Sequence, residues 1–239
     1  FKVASITPQI IDPITTSLIL DVVFQYDSNA TTKSEESLES LITDTISNFN
    51  DTDLKTFSGV FRHSKLTGLI DDADSSILSN ITTVVMAQLF TPVITEETGY
   101  IVDFSNPLDH EYDGQNNIVA STGFNIVGEV DEFFFDDRSR GDLRIFRLVD
   151  GKKVIYSNTA GKIDYEKGII TINPIRISGV SDVDGASSTR IRITAAPASK
   201  DVVPLRNQVL EIDKVNTTVD GRVDSLVITT TSGGVTTTT

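Results

Sequence analysis

The 239-residue sequence predicts an α+β protein in which a small helix-covered sheet domain is followed by an all-β sandwich or barrel-like domain. Three observations predict it. In the first half Leu38, Leu41, Ile42, Ile46 and Phe49 recur at helical spacing, an apolar stripe that needs a surface to cover. In the second half no such period exists, and short alternating runs recur between Gly, Asp and Asn turns. Charge also changes character near residue 114: residues 1 to 113 hold 18 acids and 5 bases, the remainder 16 acids and 15 bases. The expected organisation is an α+β domain with an extended lead-in over 1–114, a β-rich domain over 115–213, and a C-terminal strand with a Thr/Gly-rich tail over 214–239.

In the first region Pro8 and Pro13 punctuate the lead-in, after which Leu18, Leu20, Val22 and Phe24 alternate with Ile19, Asp21, Val23 and Gln25 as a strand with one buried face. Thr32 and Glu35 stand in the spacing of a capping box ahead of the apolar stripe, which places Leu41 at the centre of a buried helix face. Gly59 precedes a shorter helical pattern with Phe61, Leu66, Leu69 and Ile70. The acidic turn "DDADSS" leads to a strand in "NITTVVMAQLF", and "GYIVDFSNPL" supplies another. Helices packed on one face of a small sheet satisfy all of these patterns.

The second region reads as strands in "NIVASTGFNIVG", "DLRIFRLV", "KKVIYSN", "GIITINPIRI" and "TRIRITAAP". Within "AGKIDYEKGIITINPIRIS", Ile163 and Tyr165 end one strand, Glu166 to Gly168 turn with Gly at positive φ, and Ile169 to Ile172 begin the next. "PASKDVVPLRNQVLEID" is a loop set by Pro197 and Pro204 followed by one more strand, and "TTTSGGVTTTT" has nothing with which to build a core.

Composition narrows the function. A net charge of −14 offers no basic face, which argues against nucleic acid or anionic membrane as principal partners. The longest apolar run, Val84 to Ala87, predicts neither a membrane span nor a signal peptide. Zero cysteines exclude disulfides and thiolate metal sites, and a start at Phe1 predicts a piece of something longer.

Chemistry-bearing motifs are sparse. His63 and His110 lie in no metal-ligand spacing; "DHEYD" around His110 reads as a solvated loop. "SDVDG" offers Asp182, Asp184 and Gly185 of a calcium loop, but Val180 and Ile191 stand where the first and last acidic ligands belong. No nucleophile elbow or phosphate loop is present, so no catalytic residue, metal or cofactor is expected. Arg140-Gly141-Asp142 reads as a turn between strands. The one aromatic lead is "EVDEFFFDD": Phe133, Phe134 and Phe135 are either a strand buried on both sides or an exposed interface anchor, since consecutive strand residues face opposite ways.

Taken in order, "ITPQIIDPITTSLILDVVFQYD", "SEESLESLITDTISNFN", "FSGVFRHSKLTGLIDDADSSILSNITTVVM", "NTAGKIDYEKGIITINPIRI" and "VVPLRNQVLEID" resemble the baseplate wedge proteins of contractile-tailed phages, the large wedge subunit related to the baseplate J family. The resemblance implies a structural, non-enzymatic subunit of the virion tail baseplate, assembled in the host cytoplasm. It implies a homodimer that contacts other wedge subunits and joins neighbouring wedges into a ring around the hub. Two other classes fit parts of the chain. A receptor- or carbohydrate-binding tail module would explain the β-rich half but not the first, and Trp is absent for sugar stacking. A polysaccharide hydrolase would need two carboxylates facing each other across a cleft.

Overall fold

A computed structural model of the chain describes residues 14–56, 59–110, 118–138, 140–183, 186–204 and 208–224. The lead-in prolines, the "SDVDG" residues Asp184 and Gly185, the loop residues 111–117 and the Thr/Gly-rich tail lie outside the described residues.

The first strand, β1 (Ile14–Tyr26), buries Leu18, Leu20, Val22 and Phe24 completely, as its alternation predicts. Helix α1 (Glu35–Phe49) and helix α2 (His63–Asp71) contribute Leu38, Ile42, Ile46, Phe49, Leu66 and Ile70 to the same core. At about 1.5–3 kcal/mol for each large apolar side chain buried, this layer outweighs any surface ion pair in the region. Two expectations are corrected here. The helix is capped by Ser34, whose hydroxyl accepts from the Ser37 amide, so Glu35 is its first residue and no Thr32–Glu35 box forms. Leu41 is only half-buried: the buried line runs 38, 42, 46, 49, and a residue three positions after Leu38 falls on its flank. Leu69 of α2 is likewise exposed.

Helix α1 runs into a π-helical turn (Asn50–Leu54) that brings the fully buried Asn50 beneath the sheet edge. Its side-chain oxygen accepts from the Ile212 amide at 2.7 Å, tying the helix end to a strand 162 positions away. His63, expected at a surface or boundary, joins α2 to the sheet by donating from Nε2 to the Thr82 carbonyl at 2.8 Å.

Strand β2 (Ile77–Phe90) pairs antiparallel with β1 from Ser17↔Ala87 to Tyr26↔Ile77. The other edge of β1 carries two strands in tandem, both parallel to it: β11 (Gln208–Ile212) beside Ile14–Leu18 and β12 (Thr218–Val223) beside Asp21–Tyr26. Beyond β2 come β10 (Ile191–Ala195), β4 (Val119–Ser121) and β6 (Glu132–Asp137). Strand pairing thus crosses residue 114 repeatedly, because β1 and β2 are flanked on both sides by strands from the second half of the chain. The strand read in "GYIVDFSNPL", β3 (Glu97–Asp103), pairs with β9 (Ile169–Val180) rather than with β1 or β2.

The sheet then curls on itself. Strand β6 pairs with β5 (Phe124–Ile126), β5 with β9, β9 with β8 (Lys152–Asp164), β8 with β7 (Asp142–Val149), and β7 again with β6. These five strands close a small barrel, the barrel-like alternative of the sequence reading, filled by Phe124, Phe133, Phe135, Leu143, Ile145 and Ile170. The β8–β9 turn forms at residues 165–168: Gly168 has φ of 71°, and a Cβ there would lie 2.0 Å from the Asn106 carbonyl oxygen. Both the dihedral and the close approach require glycine.

Candidate interaction surface

Strand β6 sorts the aromatic triplet by alternation. Phe133 and Phe135 point into the barrel and are fully buried, with Phe135 stacked on Phe124 at 4.5 Å between ring centroids. Of the two readings open to the triplet, Phe133 and Phe135 follow the buried one and not the exposed anchor, because the barrel interior takes every second residue of the strand. Phe134 faces outward, half-buried, and stacks on Phe146 of β7 at 5.4 Å. Only this member of the triplet reaches the surface.

Charge on that outer face is internally compensated. Arg144 forks onto Asp136, with Nε and a terminal nitrogen 2.9 and 2.8 Å from its two oxygens, and Lys153 reaches the same carboxylate at 2.6 Å. Lys153 Nζ also lies 4.2 Å from the centroid of the Phe146 ring, a cation–π contact. Asp136 is 3% exposed, and two cations on one buried carboxylate give it the pairing that burial demands. The arrangement pins β6, β7 and β8 together.

The next residue, Asp137, faces the opposite way and is fully buried. It accepts from the Ile118 and Val119 amides at 2.9 and 3.2 Å and from the Tyr165 hydroxyl at 3.1 Å. Burial, and then the Asp137 carboxylate, push the Tyr165 phenol above its ordinary range, which keeps it a neutral donor. The Tyr165 that opens the β8–β9 turn is thus a latch onto the start of β4. His110 packs edge-on against its ring at 4.5 Å.

The cleft beside Tyr165 is lined by Leu108, His110, Asp164 and Glu166, and Lys167 holds the Asp164 carboxyl below its ordinary range, the reverse of what a general acid requires. Among the described residues no group of three His, Cys, Asp or Glu could hold a metal. Of "DHEYD", only Asp109 and His110 are described. Arg140-Gly141-Asp142 forms the β6–β7 turn, with Gly141 at φ 78° and Asp142 bound to Lys162.

What stands free is the end of the β7–β8 hairpin. Beyond Arg147, β7 pairs only with β8, through Leu148↔Lys153 and Val149↔Lys152, and Asp150 and Gly151 turn the chain with φ of 51° and 72°, typical of a tight hairpin turn. Leu148, Val149, Val154, Ile155 and Tyr156 are exposed on both faces of this arm. Reading "DLRIFRLV" and "KKVIYSN" as strands does not reveal it. The signal lies in the adjacent apolar residues Leu148-Val149 and Val154-Ile155-Tyr156 around the Asp-Gly turn, which cannot all face one core.

Residues 18–88, which run from β1 through both helices into β2, match the family described as baseplate structural protein gp6, C-terminal domain III. Over 88 residues the chain is 32% identical to the baseplate wedge protein gp6 of Enterobacteria phage T4, a match that takes in 37% of this chain and 13% of that protein. The chain therefore corresponds to a small fraction of that relative's length. The matched segment is the helix-covered part of the sheet, and through it the chain is similar to baseplate wedge proteins.

Proposed function

We propose that the chain is a building segment of a tail baseplate wedge that pairs with a second copy of itself, contacts other wedge subunits, and so joins neighbouring wedges into a ring around the hub, without catalysing a reaction. The observation that carries this reading is the match of residues 18–88 to a structural domain of wedge proteins, combined with a barrel whose polar groups are spent on one another. Asp136, Asp137, Arg144 and Tyr165 serve cohesion, and Leu148, Val149, Val154, Ile155 and Tyr156 leave apolar side chains at the surface of the β7–β8 arm. A part that must hold its shape under load is expected to invest its buried polar groups in this way. Assembly would take place in the host cytoplasm before the particle is complete.

Cryo-electron microscopy of native tail particles, with a small tag fused to the chain, tests the proposal. Paired copies within the baseplate ring are expected. Single, isolated copies at the periphery would overturn it and favour a receptor-binding module.

A further inference from the structure

We infer that a cavity on the helix-free face of the sheet, spanning β10, β2, β1 and β11, binds a small zwitterion. Arg190 and Arg192 receive its carboxylate, and Glu211 receives the ammonium group beside it. The inference is independent of the wedge reading and adds a ligand site to it.

Leu18, Leu20, Val22 and Phe24 turn one face of β1 to the helix-covered core, so its odd-numbered residues line the other face. There Thr15 and Ser17 share a cavity of about 460 Å³ with Arg190 and Arg192 at the entry to β10 and Glu211 and Asp213 at the end of β11. That size falls within the range of small-molecule sites. Both arginines are fixed at the backbone. The Ser188 hydroxyl accepts from the Arg190 amide at 3.1 Å and donates to the Arg190 carbonyl at 2.8 Å, and the Arg192 amide donates to the Thr122 hydroxyl at 3.0 Å. To come within 3.8 Å of Asp213, the Arg192 side chain has to extend across β2 and β1, which lie between β10 and β11.

A guanidinium without a hydrogen bond marks the site. Arg144 and Arg192 are similarly buried, with side chains 15% and 19% exposed, and each lies beside a carboxylate. Arg144 forks onto Asp136 at 2.9 and 2.8 Å, whereas Arg192 stops 3.8 Å from Asp213, and among the described residues its guanidinium makes no hydrogen bond. Asp213 is already engaged: its oxygens accept from the Val215 and Asn216 amides at 3.1 and 3.2 Å and from the Asn216 side chain at 2.7 Å. The Arg190 side chain has no partner among the described residues. Two open guanidinium forks in one cavity match a carboxylate. The acids beside them select which one. Arg190 and Arg192 against Glu211 and Asp213 leave no net charge, so a dianion such as phosphate loses to the carboxylates what it gains from the arginines. A carboxylate with an ammonium group next to it meets both signs, and Glu211, held by the Ser17 hydroxyl at a long 3.5 Å, is the acid left to accept from the ammonium.

Glycine is the smallest probe that carries both groups, with acetate and methylammonium as its halves and inorganic phosphate as a dianion. The Nε–H resonance of Arg192, identified by its loss in Arg192→Gln, is followed by NMR as each is added to the chain. Glycine is expected to shift it saturably at or below about 50 mM, an affinity that a few charge-assisted bonds to so small a molecule allow. Acetate and methylammonium are each expected to bind at least about tenfold more weakly, the loss of one charged contact. Phosphate is expected not to saturate. Arg190→Gln removes a side chain without a partner, so far-UV circular dichroism is expected to stay unchanged while glycine binding weakens at least about tenfold. Glu211→Gln is expected to bring glycine down to the level of acetate. No saturable shift, or glycine binding unchanged in Arg190→Gln, overturns the site. Acetate bound as tightly as glycine, or phosphate more tightly, overturns the zwitterion.

Discussion

The two ends of the sheet solve the same problem differently. At one end β1 and β2 present a flat apolar face, and α1 and α2 cover it with Leu38, Ile42, Ile46, Phe49, Leu66 and Ile70. At the other end no helix is available, so β5 to β9 close on themselves and bury Phe124, Phe133 and Phe135 inside. Both are built from one continuous stretch of chain, residues 35–71 for the helical layer and residues 124–180 for the barrel. Closure by curling has a cost that covering by helices does not. Strands of unequal length cannot all find partners, and the excess of β7 and β8 becomes an exposed arm. The helix-covered end is the part that matches a known structural domain, and the barrel end carries the exposed apolar arm.

The comparison is broken most forcefully at the helix layer. Ile42→Asp places a carboxylate without a partner on the buried line of α1 and is expected to cost at least about 4 kcal/mol, enough to unfold the chain in a thermal melt. Leu41→Asp, one position away on the half-buried flank, is expected to cost about 1 kcal/mol or less. Equal melting temperatures for the two variants would show that the helix does not cover the sheet as described.

The barrel end is sharpened by the aromatic triplet. Phe135→Ala empties a fully buried site stacked on Phe124 and is expected to cost about 3–5 kcal/mol in urea unfolding. Phe134→Ala removes a half-buried ring stacked on Phe146 and is expected to cost about 1 kcal/mol. A larger loss for Phe134 than for Phe135 would place the wrong face of β6 in the barrel.

The smallest effect concerns the turn that leads from α2 into β2. Lys33 beside Asp74, with the Ser76 hydroxyl and amide, holds the Asp74 carboxyl down at about 2 against an ordinary 3.8. A carboxylate whose folded value lies below its unfolded one stabilises the fold fully above about pH 4 and loses that contribution as pH falls towards 2. Lys33 is half-exposed and screened by solvent, so the contribution is at most about 1–2 kcal/mol. Unfolding free energy measured between pH 5 and pH 2 is expected to fall less steeply in Asp74→Asn than in the parent. Parallel curves would mean the turn carries no such charge pairing.

Local pattern was enough for much of this. The alternation of β1, the stripe of α1 and the Gly168 turn were legible because each depends on residues a few positions apart, where strand and helix periods act directly. The capping residue was misread by two positions, since Thr32 and Ser34 offer the same hydroxyl and only the entry angle of the chain chooses between them. Leu41 was misread for a related reason: a helical stripe has width, and which of its flanks is covered depends on where the sheet lies.

By itself the sequence determined the type of the long elements and the absence of disulfides, and its motifs carried the resemblance that implies a structural protein. Tertiary structure decided which strands are neighbours. The tandem β11 and β12 beside β1, the pairing of β3 with β9, and the closure of β5 onto β9 all join residues far apart in the chain. Side-chain period says which face of a strand is apolar but not which other strand lies alongside, because backbone hydrogen bonds are the same for every sequence that can extend. It also decided the fate of the aromatic triplet: three identical rings in a row carry no mark of inside or outside until the barrel closes around two of them.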